Sequence, residues 1–166
     1  NTSLGGGITN SGYLSITNST VTLNSDGVWS DSGILFFVNT LIAGNSGLNI
    51  RNDGTIDLSS RNNAIGDAAV SGMPTGNQNY YNVIPDLGPL GGYGGYTLTH
   101  SLRCNNTYCT DRADVSSAPA YDQRGVIRNI SFSDIGAFEN QYQNSYQVIN
   151  TNDSGPGSLR GAIANS

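Results

Sequence analysis

Apolar residues recur along the first part of the chain with a period of 21 residues. Within each repeat a short run alternates apolar and polar positions, which is the pattern of a β-strand with one buried face. Three apolar columns keep this register: Ile8, Trp29 and Ile50; Leu14, Leu35 and Ile56; and Ile16, Phe37 and Leu58. A single coil of this size cannot bury its own inner face. The pattern therefore predicts coils that stack on one another, with these columns in the interior.

Asparagine and glycine repeat in the same register. Asn18 and Asn39 lie 21 residues apart, and a Ser-Gly or Asp-Gly pair marks each turn. We expect the asparagines to stack as an internal amide ladder at a coil corner, and the glycines to supply a positive φ. The alternative for the asparagines is two unrelated turn residues. Residues 33–38 are apolar at every position, which predicts a cover over the outer face of that coil.

The period fades after residue 67. Residues 68–84 are interpreted as an excursion loop, and residues 85–103 as further, irregular coils. We therefore predict a parallel β-helix with irregular C-terminal coils over residues 1–139, followed by a linker and tail over residues 140–166. In the tail we predict a strand over residues 146–151 and a short helix over residues 158–164. Ser158 is a suitable N-cap for that helix, and Leu159 with Ile163 gives it an apolar edge.

The composition suits short strands joined by tight turns. Of the 166 residues, 36% are hydrophobic and 11% are charged, which is too apolar for a disordered chain. The net charge of −5 argues against nucleic acid as a partner, because phosphates would not be neutralised. No apolar run approaches the roughly 20 residues that span a bilayer. The start at Asn1, without a signal peptide, is interpreted as a mature fragment or a segment of a longer protein.

Cys104 and Cys109 lie close together in the sequence. No cluster of His or Cys accompanies them, so a zinc site is disfavoured and a local disulfide is the favoured interpretation. Two thiols in a loop are the alternative. A disulfide closing so small a loop would stabilise the fold by about 2 kcal/mol. Its main implication is an oxidising environment, so we expect a secreted or cell-surface protein.

Several phrases of the sequence resemble those of bacterial right-handed parallel β-helix surface proteins, the choice-of-anchor and polymorphic outer-membrane-like group. The phrases are GGGI at residues 5–8, NTLIAGN at 39–45, NAIGD at 63–67, LGPL at 87–90, GGYTLTHSL at 94–102, SAPA at 117–120, DQRG at 122–125 and DIGAFE at 134–139. The resemblance covers nearly the whole chain. It implies an all-β fold, a right-handed parallel β-helix or β-solenoid.

The tail resembles the phrase that opens such a helix, although here it follows the closing phrase. Residues 148–163 read VINTNDSGPGSLRGAI. The resemblance implies a cap or assembly element formed by Tyr146, Val148, Ile149, Leu159 and Ile163. Two explanations stay open. The chain is one segment of a giant tandem β-helix adhesin, or it is a subunit whose tail caps the open first coil of a neighbour and builds a head-to-tail oligomer or fibre.

The residues that could carry chemistry are scattered along the chain. Glycosidases need two carboxyl groups close together. The pair closest in register is Asp31 and Asp53, and these are explained more simply as solvent-exposed surface residues. His100 is the only histidine and has no Ser or Cys partner nearby in sequence, so we expect a structural role. The Asn- and Asp-rich turns could hold Ca²⁺, but the calcium-binding nonapeptide is absent. We expect no cofactor and no metal.

The sequence thus predicts a non-catalytic, extracellular β-solenoid with a structural or adhesive role and self-association as the expected interaction. A polysaccharide lyase or hydrolase on the same fold is one alternative, and Trp29 counts against it because its column is predicted to be interior. A module that binds a glycan or a cell-surface ligand is another. Its contact residues would be loop tyrosines: Tyr80, Tyr81, Tyr93, Tyr96 and Tyr108.

Overall fold

The computed structural model describes residues 6–103, 107–141, 151–154 and 160. In these ranges the chain is all-β, with almost no helix. The strands in chain order are β1 (Ile8–Asn10), β2 (Tyr13–Thr17), β3 (Thr20–Val21), β4 (Val28–Ser30), β5 (Ile34–Val38), β6 (Leu41–Ile42), β7 (Ile50–Asn52), β8 (Thr55–Ile56), β9 (Ala64–Ile65), β10 (Leu87–Gly91) and β11 (Thr99–Leu102). They are short because Gly, Asn and Ser turn residues interrupt each apolar run.

Strands β1 to β9 form three parallel sheets of three strands each. The strand orders are β1-β4-β7, β2-β5-β8 and β3-β6-β9, so each sheet takes one strand from each of three successive turns of the chain. We name β1–β3 the first coil, β4–β6 the second coil and β7–β9 the third coil. Equivalent strands run parallel because each coil repeats the course of the one before it. This arrangement is consistent with the predicted β-solenoid.

The column of Leu14, Leu35 and Ile56 aligns as the repeat predicts. Leu14 pairs with Leu35, and Leu35 pairs with Ile56. In the neighbouring column Ile16 pairs with Phe37. Leu35 and Phe37 are completely buried, because the coils on both sides cover them. These side chains join one apolar cluster with Val28, Ile42 and Ile65.

Trp29 does not lie in the interior column that the sequence predicts. Ile8 pairs with Val28, and Val28 pairs with Ile50, so Val28 is the interior residue. On this sheet the first repeat is one residue shorter than predicted and the second is one residue longer. A shift of one residue in a strand moves a side chain to the opposite face. Trp29 therefore lies on the outer face, between Thr9 and Arg51.

The prediction that Leu58 continues the column of Ile16 and Phe37 is also wrong. Leu58 is 74% exposed, because the third coil contains two extra residues in a turn after β8. The Asp57 carboxylate stabilises that turn by accepting hydrogen bonds from the Ser59 N–H, at 2.8 Å, and hydroxyl, at 2.6 Å. Ser60 takes the inward place instead. It is buried, and its hydroxyl accepts a hydrogen bond of 3.2 Å from the Phe37 N–H.

The segment predicted as an excursion loop covers one end of the stack. Tyr80 bridges to Ala64 in parallel, and the Ile65 N–H donates to the Tyr80 carbonyl at 2.8 Å. Part of the segment therefore adds a fragment of a further rung beside β9. Met73 is buried in the apolar cluster, and Val70 and Tyr81 pack against it. These side chains close the end of the stack at the third coil.

The prediction of further coils over residues 85–103 is wrong for β10 and β11. These two strands pair with each other in antiparallel fashion, with an irregularity between Leu87 and Leu90. They pack over a second apolar cluster that includes Leu102, Cys109 and Ile135. The predicted cover over residues 33–38 does not reach Ile34, which is 43% exposed.

Candidate assembly site

The first coil carries the edge strands of all three parallel sheets. Among the described residues, β1, β2 and β3 each pair only with a strand of the second coil. Ile8 and Leu14 head two interior columns and are half-buried, whereas the next residue in the second column, Leu35, is fully buried. Unpaired backbone groups beside apolar side chains are a template for an added strand. The end at the first coil can therefore accept another rung.

Stacked glycines show how closely such a rung would approach. A Cβ on Gly33 would lie 2.2 Å from the Gly12 carbonyl oxygen, and a Cβ on Gly54 would lie 2.2 Å from the Gly33 oxygen. Neighbouring turns therefore leave no room for a side chain. A Cβ on Gly12 would meet nothing within 4 Å. Gly12 occupies the equivalent turn in the first coil, and the space that a preceding turn would fill is open.

Asparagines form a ladder at the corner between the second and third sheets. The Asn39 side-chain N–H donates to the Asn18 Oδ1 at 3.0 Å, and both residues are buried. The predicted amide ladder is thus present at this corner. Its remaining bonds, however, go to a distant part of the chain: Asn18 donates to the Asp134 carbonyl, and Asn39 donates to the Asp114 carbonyl.

That distant part, residues 107–141, is named here the returning segment. It crosses the asparagine corner from the third coil back to the first. Asn62 of the third coil donates to the Arg112 carbonyl at 2.8 Å. At the other extreme the Ala137 N–H donates to the Thr20 hydroxyl, in the first coil, at 3.0 Å. The chain therefore reaches the edge of the first coil just before residues 140–166 begin.

Salt bridges hold the returning segment together. Arg128 and Glu139 form an almost completely buried ion pair at 2.9 Å, and Arg124 pairs with Asp122 at 2.7 Å. Burial by itself would raise the pKa of Asp122, but hydrogen bonds from the Glu139 and Val126 N–H groups and from Arg124 lower it overall. A paired arrangement of this kind offsets the desolvation of each charge.

Two other carboxyl groups have strongly shifted pKa values. Burial, together with repulsion from the Glu139 carboxylate, raises the pKa of Asp134 to about 7, although two backbone N–H donors oppose the shift. Burial acts against ionisation of Asp114 as well. There, hydrogen bonds from Ser116, Arg61 and Ser117 outweigh it and lower the pKa to about 2. Asp114 is therefore an anion that anchors the returning segment to Arg61, at 2.8 Å.

An outward-facing polar cluster surrounds Trp29. Its indole N–H donates to the Asp53 carboxylate at 2.9 Å, and the Arg51 guanidinium lies 5.1 Å from the ring centroid. Arg51 also pairs with Asp53 at 2.9 Å. The hydrogen bond from Trp29 and the charge of Arg51 lower the pKa of Asp53. This register brings an aromatic ring, a cation and an anion together on the outer face.

The predicted structural role of His100 agrees with its contact. Its Nδ1 lies 2.8 Å from the Gly88 carbonyl oxygen.

Asp31, predicted to lie near Asp53 in the stack, accepts a hydrogen bond from the Ser32 hydroxyl, and no contact joins the two carboxylates in the described residues. Across those same residues, no three His, Cys, Asp or Glu side chains converge as a metal site. The described part of the chain contains no helix long and apolar enough to cross a membrane.

All five predicted assembly residues lie outside the described ranges. These are Tyr146, Val148, Ile149, Leu159 and Ile163. The predicted tail strand and helix stay predictions for the same reason. Cys104 also lies outside the described ranges, so the disulfide stays a prediction, and its expected partner, Cys109, is completely buried in the second apolar cluster.

Nothing in the sequence predicted that Asp114, Asp134 and Ala137 would contact the coils at the asparagine corner. These contacts join residues 75 to 117 positions apart. The one available signal was local: Asp134 and Glu139 bracket the DIGAFE phrase. In the structure the Glu139 carboxylate accepts the Asp134 N–H at 2.9 Å, so this phrase forms a closed turn.

Comparison with known proteins identified no homologue. The chain matches no protein-family model, and neither the curated proteins nor the solved structures contain a significant match. The resemblance to bacterial β-helix surface proteins therefore stays a prediction from sequence.

Proposed function

We propose that the protein is a non-catalytic, extracellular right-handed parallel β-helix with a structural or adhesive role, which self-associates through its first coil. One observation carries the proposal: the two ends of the stack differ. Met73, Val70 and Tyr81 cover the end at the third coil, while Ile8 and Leu14 stay half-exposed at the first. An asymmetric stack with one accepting end is suited to addition of a strand from another chain.

The donor in this proposal is the tail, residues 146–166. The supporting observation is that Ala137, near the end of the returning segment, bonds to Thr20 at the edge of the first coil. We propose that the tail adds a strand to the first coil of a second copy. Each subunit then carries one donor and one acceptor. Contacts that are not exchanged reciprocally extend into a fibre.

Gly12→Ala tests the acceptor directly. The methyl group has room in the isolated chain, but it would collide with an added rung as a Cβ at Gly33 would collide with Gly12. Sedimentation velocity and negative-stain microscopy of the wild type should show concentration-dependent oligomers or fibres. Gly12→Ala and a chain lacking residues 146–166 should be monomeric, with thermal midpoints close to that of the wild type.

Gly92→Ala is the matched control, because a Cβ on Gly92 also meets nothing within 4 Å and Gly92 lies outside the parallel sheets. It should assemble like the wild type. A wild type that stays monomeric at high concentration would contradict self-association. Assembly that persists after removal of residues 146–166 would contradict the tail as donor. Assembly of Gly12→Ala equal to that of the wild type would contradict the first coil as acceptor.

The outward position of Trp29 favours glycan binding as a second candidate. The sequence predicts an interior Trp29, and that position counts against a polysaccharide lyase or hydrolase; on the outer face the ring is instead available to contact a sugar. Trp29, Arg51 and Asp53 offer an apolar ring beside hydrogen-bonding groups, and exposed Tyr13 lies on the adjoining sheet. Aromatic rings with polar neighbours suit ligands that have both apolar faces and hydroxyl groups.

Trp29 is the only tryptophan, so its fluorescence reports on this surface alone. A saturable change on titration with neutral or uronate oligosaccharides, weakened in Asp53→Asn, is the expected result. Unchanged emission across the series would remove this candidate.

A further inference from the structure

A cleft of about 480 Å³ opens between the stack and the β10–β11 pair. Leu23 and Gly44, from successive coils, form one wall. Leu87, Leu90 and His100 are among the residues that form the other. The lining is predominantly apolar, and among the described residues only His100 contributes an ionisable side chain to it. Its volume falls in the range of roughly 300–1,000 Å³ that is usual for small-molecule sites.

Leu23 is held at this cleft in an unfavourable backbone conformation. Its φ is 58°, in the left-handed region, where a leucine Cβ is crowded by the backbone. The next coil has Gly44 at the equivalent corner, with a φ of 74°, and the Leu23 N–H donates to the Gly44 carbonyl at 3.3 Å. Glycine would therefore satisfy the corner of the first coil too. Since the Leu23 side chain is 72% exposed, packing within the chain does not explain it.

The opposite wall supplies a matching apolar group and one polar group. Leu90 is 57% exposed. His100 places Nδ1 2.8 Å from the Gly88 carbonyl oxygen, so Nδ1 carries the proton that this bond requires. In the neutral ring Nε2 is then the unprotonated nitrogen, which accepts a hydrogen bond. The cleft thus combines two exposed leucines with the ring acceptor of His100, and Thr22, whose hydroxyl has no hydrogen-bond partner within the described chain, also lines it.

We propose that this cleft binds a small uncharged molecule with an apolar body and one hydroxyl-type donor, of which an alkylphenol is the simplest example. The body packs between Leu23 and Leu90, and the hydroxyl donates to His100. A charged ligand does not fit this chemistry, because the lining offers no counter-charge. A buried charge without a partner is strongly disfavoured. Leu23 lies just after β3, an edge strand of the first coil, but binding in the cleft does not require assembly.

The test uses the full chain and two probes, 4-propylphenol and propylbenzene, followed by isothermal titration calorimetry or ligand-observed NMR. The wild type should bind both saturably and prefer the phenol by about tenfold, the effect of one matched hydrogen bond. Leu23→Gly should weaken both probes by about fivefold or more, because apolar contact is lost. Its thermal midpoint should stay equal or rise, since the corner loses its strain.

Two further variants keep the outcome decisive. His100→Leu should remove the preference for the phenol and retain binding of propylbenzene. Leu58→Gly removes a comparably exposed leucine away from the cleft and should leave both affinities unchanged. Absence of saturable binding by the wild type, or equal affinity of wild type and Leu23→Gly, would overturn the proposal.

Discussion

At the asparagine corner the backbone of each coil passes through the left-handed region. Asn18, Asn39 and Asn62 have φ values of 43°, 54° and 52°. Asparagine tolerates this conformation better than other residues with a Cβ, and its amide then bonds to the next coil or to the returning segment. The turn glycines have a different role from the expected one. Gly12, Gly33 and Gly54 do not have positive φ values, and Gly33 and Gly54 are needed because neighbouring turns approach closely.

At the same scale, Asp134 makes the stability of the fold depend on pH. Its carboxyl group accepts the N–H groups of Asp111 and Asn140 and lies near Glu139. Burial raises its pKa from the ordinary carboxyl range to about 7 in the folded chain, so the folded state holds this proton more tightly than the unfolded state. The contribution of Asp134 is therefore most favourable below its unfolded pKa, and it is lost as pH rises from about 4 to about 7.

We expect Asp134→Asn to flatten this pH dependence. Urea titrations at pH 5 and pH 8 measure the free energy of unfolding of both proteins. Between these two pH values the wild type should lose a few kcal/mol more than the variant, because each unit of pKa shift corresponds to about 1.4 kcal/mol. All other ionisable groups are shared, so the difference reports Asp134 together with its interactions with Glu139 and Asp111. Parallel pH profiles of wild type and Asp134→Asn would contradict a raised pKa.

At the scale of the strand, register depends on whether each repeat keeps its length. The sheet β2-β5-β8 keeps the period, so Leu14, Leu35 and Ile56 align. The sheet β1-β4-β7 shifts by one residue, which exchanges Trp29 for Val28. The extra turn at Leu58 lengthens the third coil by two residues. In the sheet β3-β6-β9, Leu41 and Ile42 therefore pair with Ala64 and Ile65, which lie 23 residues later instead of 21. Alternation along a strand is robust, but the turn between strands sets which residue faces inward.

The glycine turns give an element-scale prediction with its own control. Gly33→Ala should destabilise the fold by about 2 kcal/mol, because the new methyl group forces two coils apart. Gly12→Ala should be nearly neutral in the monomer, since open space faces that position. Chemical denaturation of the chain lacking residues 146–166 measures both without assembly. Equal effects of the two substitutions would show that the close approach of the turns does not limit stability.

At the scale of the whole molecule, the returning segment ties together coils that otherwise contact only their neighbours. It bonds to Arg61 beside the third coil, to Asn39 in the second and to Thr20 in the first. In a simple stack, stability is a sum of local and nearest-neighbour terms. A segment bonded to three coils adds longer-range coupling, because opening one coil at this corner disturbs its contacts with the others.

We expect amide hydrogen exchange to reveal a gradient across the molecule. Amides of β4 to β6 have coils on both sides and should exchange most slowly, whereas those of β1 and β2 should exchange fastest among the parallel strands. Raising the protein concentration should slow exchange in β1 and β2 if a second copy adds to that edge. Uniform protection in all three coils at low concentration would contradict the exposed edge.

The sequence by itself determined the all-β class, the stacking of coils, one complete interior column (Leu14, Leu35 and Ile56) and the asparagine ladder, because these follow from periodic side chains and short-range turn preferences. Only the tertiary structure decided that Val28 replaces Trp29, that Leu58 leaves the core, and that residues 107–141 return to the first coil. A one-residue change in a turn leaves the pattern almost intact while reversing the face of a side chain. Contacts such as Thr20 with Ala137, which are 117 positions apart, have no periodic signal, since they arise only after both parts have folded.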